Sequence, residues 1–272
     1  MEEKKNRFGI PESYARRIAA FRLFDDTFLS TVFDNSPKTT ERMLRIILDR
    51  DDIEVIEVRA QTRLTNLVDR EIVLDVLARE RGGGLIDIEV QRDSTGAPPE
   101  RARFNLALMD ARSLAKGEPY TAMKENYVIF ITEEDTLARG EPVSRIERMI
   151  LGDGGSPAPF GDGSHIVYVN GAYVPPAGEE NDLTRLIGDF HRTDPKEMQI
   201  REIAERVDFF KNTEGGQRQM CKIVEELVEE GKEQVMVESV KNLMDSLKID
   251  AEQAMDLLKV PKEQRKKIAE KL

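Results

Sequence analysis

The residues LDVLARERGGGLIDIEVQ, at positions 74–91, carry the most informative pattern of the sequence. Two short apolar runs rich in Leu, Ile and Val flank three glycines, a pattern that predicts an antiparallel β-hairpin. A turn centred on Gly82 would place Asp75 directly opposite Glu89. Directly opposed residues have Cβ atoms about 4.5–5.5 Å apart, so the hairpin brings two like charges together.

This acidic pair has two interpretations. A half-exposed strand often alternates charged and aliphatic residues, so the pair could belong to a solvated acidic face. Asp75 is nevertheless the one polar residue in the run IVLDVLA, and two close carboxylates repel each other unless a cation lies between them. The chain has only 2 histidines, which excludes a histidine-rich zinc site. A carboxylate site favours magnesium, manganese or calcium.

The rest of the chain to about residue 180 alternates helical and extended patterns. The hydrophobic spacing predicts helices over 14–34 and from Pro37 onward, and a helix over 98–117 that ends at Gly117. Strands are expected near 53–58, 71–78, 85–90 and 127–132. The Gly/Pro-rich segment 152–163 is expected to be either a long hairpin loop or a disordered flap.

Strand signals stop near residue 180, so we expect an α/β domain over 1–180 and a helical C-terminal region over 181–272. TEGGQ, at 213–217, is expected to break the helical pattern. Asp250 with Gln253 resembles a capping box that opens another helix. The apolar stripe of the charged helix before it favours a coiled coil or bundle that forms a homo-oligomer or binds a partner.

Composition limits the function classes. Hydrophobic residues make up 39% and charged residues 34% of the 272, which indicates a globular protein with highly charged helices rather than a disordered chain. The net charge of -11 argues against nonspecific nucleic-acid binding by the whole surface. Short apolar runs exclude a membrane span, and the charged N-terminus and single cysteine favour the cytoplasm.

The hairpin also resembles a known family. An Asp on one strand, a hairpin and Glu-x-Lys on the next strand form the core of the PD-(D/E)XK nuclease superfamily. In its Rpn-like branch of recombination-promoting nucleases and putative transposases, the lysine is replaced by glutamine, and LDVLA with IDIEVQ is similar to the signature of that branch. The segments FRLFDDTFLSTVF, ERARFNLALMDARSLAKGEPY, YVIFIT, HIVYVNG, LTRLIGDFHRTDPKEM and AMDLLKVPKEQRKKI resemble other parts of the family, over nearly the whole chain.

The resemblance implies a restriction-endonuclease-like α/β fold, in which helices flank a mixed sheet. It also implies a site in which Asp75 and Glu89 are metal carboxylates and the Val90 carbonyl is a further ligand. Gln91 stands where the superfamily has lysine. A neutral amide can orient water and donate a hydrogen bond, but it supplies no positive charge. The expected cofactor is Mg²⁺, with Mn²⁺ as a substitute.

Five further residues are candidates for the site. Glu57 and Glu71 are weaker candidates for the additional carboxylate that some members of the superfamily take from elsewhere. Asp87 shares a strand face with Glu89 and is expected either to support the ligands or to face solvent. Arg101 and Arg103 resemble the arginine that opens the next helix in the family, and are either phosphate-binding or ordinary surface residues.

The function expected from the resemblance is metal-dependent hydrolysis of DNA phosphodiester bonds, linked to transposition or recombination. The alternative is a catalytically degenerate nuclease fold that acts as an interaction or DNA-associated scaffold. The missing lysine and the acidic net charge favour that alternative.

Overall fold

A computed structural model of the chain describes residues 4–65 and 71–272, and these fall into two compact units. The larger unit is Ala19–Thr213. The smaller contains the described residues up to Ile18 together with Glu214–Leu272. Division by packing therefore falls after Thr213, whereas the sequence pattern places a domain boundary near residue 180.

The larger unit is built on a mixed β-sheet. Its strands are β1 (Val55–Thr65), β2 (Glu71–Glu80), β3 (Leu85–Gln91), β4 (Asn126–Thr132), β5 (Val143–Ile146), β6 (Met149–Ile150), β7 (Ala158–Pro159) and β8 (Ser164–Asn170). Six of them form the sheet, in the order β1-β2-β3-β4-β8-β5, and β6 pairs separately with β7. β1, β2 and β3 are antiparallel neighbours, β3, β4 and β8 run parallel, and β5 is antiparallel to β8. This architecture confirms the predicted restriction-endonuclease-like α/β class.

Helices of the larger unit cover both faces of its sheet, and the last three helices of the chain belong to the smaller unit. The helices are α1 (Glu12–Ala20), α2 (Asp26–Phe33), α3 (Pro37–Leu48), α4 (Pro99–Ser113), α5 (Asp182–His191), α6 (Arg201–Asn212), α7 (Glu214–Leu247), α8 (Ala251–Leu257) and α9 (Lys262–Ala269). α4 packs on one face, where it forms a core with side chains such as Val128, Phe130 and Tyr168. α2 and α3 pack against β1 and β2, and α5 and α6 pack against α3.

The hairpin has the register that the glycine turn predicts. Val76 pairs with Ile88 and Leu77 pairs with Asp87. Continued by one residue, this register places Asp75 against Glu89. β3 is buried on both faces, since α4 covers the face that carries Asp87 and Glu89. The solvated-face interpretation is therefore wrong, because the sheet has helices on both sides.

Some predicted boundaries differ from the structure. The helix predicted over 14–34 is two helices, because the Asp25 carboxylate accepts the Arg22 N–H at 2.7 Å and stabilises a turn between them. α4 ends at Ser113, before Gly117. The predicted break at TEGGQ is confirmed at Thr213, which has an extended backbone between α6 and α7, whereas both glycines lie within α7, which begins at Glu214.

Other local predictions are confirmed. Pro37 occupies the first turn of α3. The segment 152–163 belongs to a hairpin in which β6 pairs with β7. Asp250 and Gln253 form a reciprocal capping box at α8.

The smaller unit uses part of its apolar stripe internally. Val237 and Val240 of α7 are buried together with Met255 of α8, Val260 and Ile268 of α9. The apolar residues of α7 that pack against α8 and α9 are therefore buried within the smaller unit. Within the described residues, no helix is long and apolar enough to cross a membrane.

Candidate active site

Asp75 lies where pairing of β2 is interrupted on both sides. The β2–β3 ladder stops at Val76 and Ile88, and the β1–β2 register passes from Ala60 to Thr62 without pairing Gln61. Gln61 has a φ of 49°, a left-handed conformation that is uncommon for a side chain of this type. This local irregularity frees the Asp75 backbone from regular ladder bonds.

Side chains from α2 and β1 replace the missing ladder bonds. The Ser30 hydroxyl donates to the Asp75 carbonyl at 3.2 Å, and the Gln61 amide donates to the Ser30 hydroxyl at 2.9 Å. The backbone of Asp75 is therefore held by α2 while its carboxylate is directed toward β3.

The Asp75 carboxylate and Glu89 meet at the edge of β3. Asp75 Oδ2 accepts the Val90 N–H at 3.1 Å, and the Asp75 N–H lies 3.4 Å from Glu89 Oε1. Both side chains are buried, at 8% exposure for Asp75 and 0% for Glu89. The structure thus brings together the two carboxylates that the register predicts.

Val90 contributes its backbone to the same edge. The neighbouring Gln91 carbonyl accepts the Glu133 N–H, 2.8 Å away, on the β4 side. Successive residues in a strand direct their backbone groups to opposite edges. The Val90 carbonyl therefore leaves the strand on the edge where its N–H meets Asp75.

Arg101 contacts one carboxylate of the site, Glu89, whereas Arg103 lies in the cleft beside it. The Arg101 guanidinium forms an ion pair with Glu89 from the first turns of α4, and also donates to the Gly96 carbonyl at 2.7 Å. Its Cζ lies 5.5 Å from the centroid of the Phe130 ring. Arg103 is exposed and lines the same open cleft as Arg101. The volume of this cleft is about 790 Å³.

Asp87 is fully buried, so its predicted solvent-facing alternative is wrong. Asp87 Oδ2 accepts a hydrogen bond from the Asn105 amide at 3.1 Å. Among the described residues, Asp87 Oδ1 and Asn105 Oδ1 have no partner. Burial, and next the charge of Glu89, raise the pKa of Asp87 well above its usual value, which favours the neutral acid.

The ionised forms of Asp75 and Glu89 are also disfavoured relative to their protonated forms. Burial raises the pKa of Asp75 to about 6, and the charge of Asp26 adds to this shift. Burial, and next the charge of Asp75, raise the pKa of Glu89 to about 7, although Arg101 opposes the shift. A cation between the two carboxylates would relieve both effects.

The donor set fits a hard divalent ion. Two carboxylates and a backbone carbonyl are the oxygen ligands that Mg²⁺ and Mn²⁺ accept, with water completing the coordination. Across the described ranges 4–65 and 71–272, no three His, Cys, Asp or Glu side chains form a preformed metal centre. A metal at this site would thus rest on Asp75, Glu89 and the Val90 carbonyl.

Several residues of the site were missed from the sequence. Asn105 could have been found, since it lies four residues after Arg101 on the same helical face. Gly96, Ser30 and Gln61 carry no comparable signal. The weaker candidate Glu57 instead pairs with arginines of β1 and β2, and the Glu71 side chain lies outside the described residues.

Comparison with known proteins agrees with this geometry. A family model described as "PD-(D/E)XK nuclease family transposase" matches residues 35–174, just over half of the chain. The match includes the β2–β3 hairpin and α4, and so every residue predicted for the site. Comparisons with curated proteins and with solved structures give no match. The matched segment carries the sheet and its acidic pair, and the chain belongs to the PD-(D/E)XK nuclease family transposases.

Proposed function

We propose that this protein is a metal-dependent DNA endonuclease that hydrolyses phosphodiester bonds during transposition or recombination. The observation that carries the proposal is the convergence of Asp75, Glu89 and the Val90 carbonyl at one edge of β3. Its family membership supports a nuclease-type function with DNA as the substrate. PD-(D/E)XK nucleases generally use divalent metal ions, and we propose Mg²⁺, with Mn²⁺ as a substitute.

The residues of the site have separate roles in this proposal. Asp75, Glu89 and the Val90 carbonyl hold the ion, which when bound acidifies water and offsets charge on the phosphate. Gln91 orients the attacking water and donates a hydrogen bond. Arg101 and Arg103 bind phosphate groups from the cleft.

A second candidate is a noncatalytic scaffold that keeps the nuclease fold. The observation that favours it is the Arg101–Glu89 ion pair, in which an arginine already supplies a positive charge to one carboxylate. In this alternative, the site is a structural ion-pair cluster and binds no metal.

Cleavage of supercoiled plasmid separates the two candidates. Purified wild type is compared with Asp75→Asn and Glu89→Gln, which keep the side-chain shapes, in Mg²⁺, in Mn²⁺ and in a chelator. We expect metal-dependent nicking or linearisation that both variants lose by at least about 100-fold. Asp153→Asn, at an exposed loop position, is the matched control. Metal-dependent cleavage that persists in both variants, or no cleavage by wild type on plasmid and single-stranded DNA, contradicts the endonuclease.

We also propose that the protein is cytoplasmic and forms a homo-oligomer through its C-terminal helices. The exposed side chains Val235, Leu247 and Leu257 of the smaller unit leave apolar surface for a second copy of the chain. Light scattering of wild type and Val235→Lys tests the oligomer, since loss of a dimer in the variant is expected and a wild-type monomer contradicts it.

A further inference from the structure

The turn after β3 is held in place at both ends. Residues 93–97 form a single helical turn in which the Gly96 N–H donates to the Asp93 carbonyl at 3.0 Å. Ala97 is fully buried, and its carbonyl accepts the Tyr168 hydroxyl at 3.0 Å. The turn therefore has little freedom to move away from its neighbours.

A side chain at position 96 is disfavoured by the space around Gly96 rather than by its backbone conformation. Its φ lies outside the positive range that disfavours other residues. A Cβ on Gly96 would lie only 2.1 Å from Gln91 Oε1 and 3.0 Å from Gln91 Cδ. The Gln91 amide thus occupies the volume that any larger residue at position 96 would need.

The same glycine also contacts the arginine of the site. Its carbonyl accepts the Arg101 guanidinium at 2.7 Å, and that guanidinium pairs with Glu89. Gly96 therefore contacts two groups of the site. Its Cα, which has no side chain, packs against the Gln91 amide, and its carbonyl oxygen binds the arginine that pairs with Glu89.

We propose that Gly96 is a positioning residue, which places the Gln91 amide beside the Arg101–Glu89 pair. The inference rests on the proposed function in one respect, namely that the Gln91 amide acts in cleavage. A methyl group at position 96 displaces the amide, whereas the carbonyl that binds Arg101 is unchanged. Since the displaced group is the end of a flexible side chain, the fold tolerates the substitution.

Two measurements on the full chain test the inference. Side-chain amide NMR signals of Gln91 are assigned by their loss in Gln91→Ala and followed in Gly96→Ala. The control is Gly82→Ala, where an added Cβ meets no described atom within 4 Å. We expect the Gln91 signals to shift in Gly96→Ala and to stay in place in Gly82→Ala. Unchanged signals in Gly96→Ala overturn the inference.

Kinetics with plasmid DNA supply the second measurement. We expect Gly96→Ala to lower kcat by about 10- to 100-fold with KM unchanged, because the reacting groups are misplaced while Arg101 is retained. In the Gln91→Ala background, Gly96→Ala should have no further effect, because there is no amide left to displace. The inference is overturned if the reductions in kcat of the two single variants multiply in the double variant. It is also overturned if Gly96→Ala has the kcat of wild type. If wild type cleaves no DNA, the proposed function fails, while the NMR shift still decides whether Gly96 positions Gln91.

Discussion

The Asp75 carboxylate accepts its hydrogen bond from the backbone N–H of Val90, 3.1 Å away on the neighbouring strand. The last ladder pair is Val76 with Ile88, so Asp75 lies one residue and Val90 two residues beyond that pair. The carboxylate thus takes the position of a ladder acceptor and stays beside Glu89. Two buried carboxylates are thereby held together by the backbone, despite the repulsion between them.

The first prediction concerns stability without metal. The pKa of Asp75 rises from 3.8 in the unfolded chain to about 6 in the native state, so its protonated form is the favoured one in the fold. The protonated Asp75 side chain therefore makes its full contribution to the free energy of unfolding below pH 4. That contribution is lost as the pH rises through about 6, because the native state must then hold a buried anion. We expect Asp75→Asn to be more stable than wild type at pH 8 by on the order of 2 kcal/mol, and equal near pH 4.

Urea denaturation in a chelator, at pH 4 and pH 8, measures this difference. The exposed variant Asp153→Asn should follow wild type at both pH values. A wild type that is more stable than Asp75→Asn at pH 8 would show that the buried carboxylate is stabilised by its surroundings.

The second prediction concerns metal binding. Because a bound cation offsets the repulsion between Asp75 and Glu89, Mn²⁺ should raise the melting temperature of wild type at pH 8. A ligand at 100 times its Kd stabilises a protein by about 2.7 kcal/mol. The rise should be absent in Glu89→Gln and weaker at pH 5, where the carboxylates are protonated. Differential scanning calorimetry measures the increase in melting temperature. Equal increases in wild type and Glu89→Gln would show that the ion binds elsewhere.

The third prediction separates the two arginines. Both arginines are proposed to bind phosphate, but Arg101 is also the partner of a buried carboxylate, so Arg101→Ala should lower metal affinity or kcat by about 10- to 100-fold. Arg103 is exposed in the cleft, so Arg103→Ala should mainly raise KM for DNA and lower the dependence of binding on salt by about one phosphate contact. Cleavage kinetics at several salt concentrations compare them. Identical profiles for the two variants would contradict the separate roles.

The fourth prediction concerns a buried lysine of the larger unit. Lys211 Nζ donates to the carbonyls of Ala19, Phe21 and Thr193 at 2.9, 2.5 and 2.7 Å. Burial lowers the pKa of Lys211 to about 8. Lys211→Met leaves these carbonyls without that donor, and should destabilise the protein by about 2–4 kcal/mol.

Chemical denaturation at pH 7 checks this prediction against Lys196→Met, a substitution at an exposed lysine. The control should unfold within about 0.5 kcal/mol of wild type. If Lys211→Met is equally stable, water or rearranged side chains must satisfy the three carbonyls.

Much of the central hairpin could be predicted because it depends on local rules. The glycine turn sets the register, and the alternation of side chains sets which residues share a face of β3. The proline of α3 and the capping box of α8 are similar cases, since each involves bonds within a few residues. The break between α1 and α2 was missed, because the Asp25 side chain competes with the helix for a backbone N–H.

The opposition of Asp75 and Glu89 across a glycine turn follows from the order of residues in the chain. The burial of this pair beneath α4, the ion pair of Arg101 with Glu89 and the contact of Gln91 with Gly96 depend on tertiary packing. These features differ in the range of the interactions that produce them. Strand register follows from neighbours in the chain, whereas burial, ion pairing and contact volume depend on which distant segments pack against the strand.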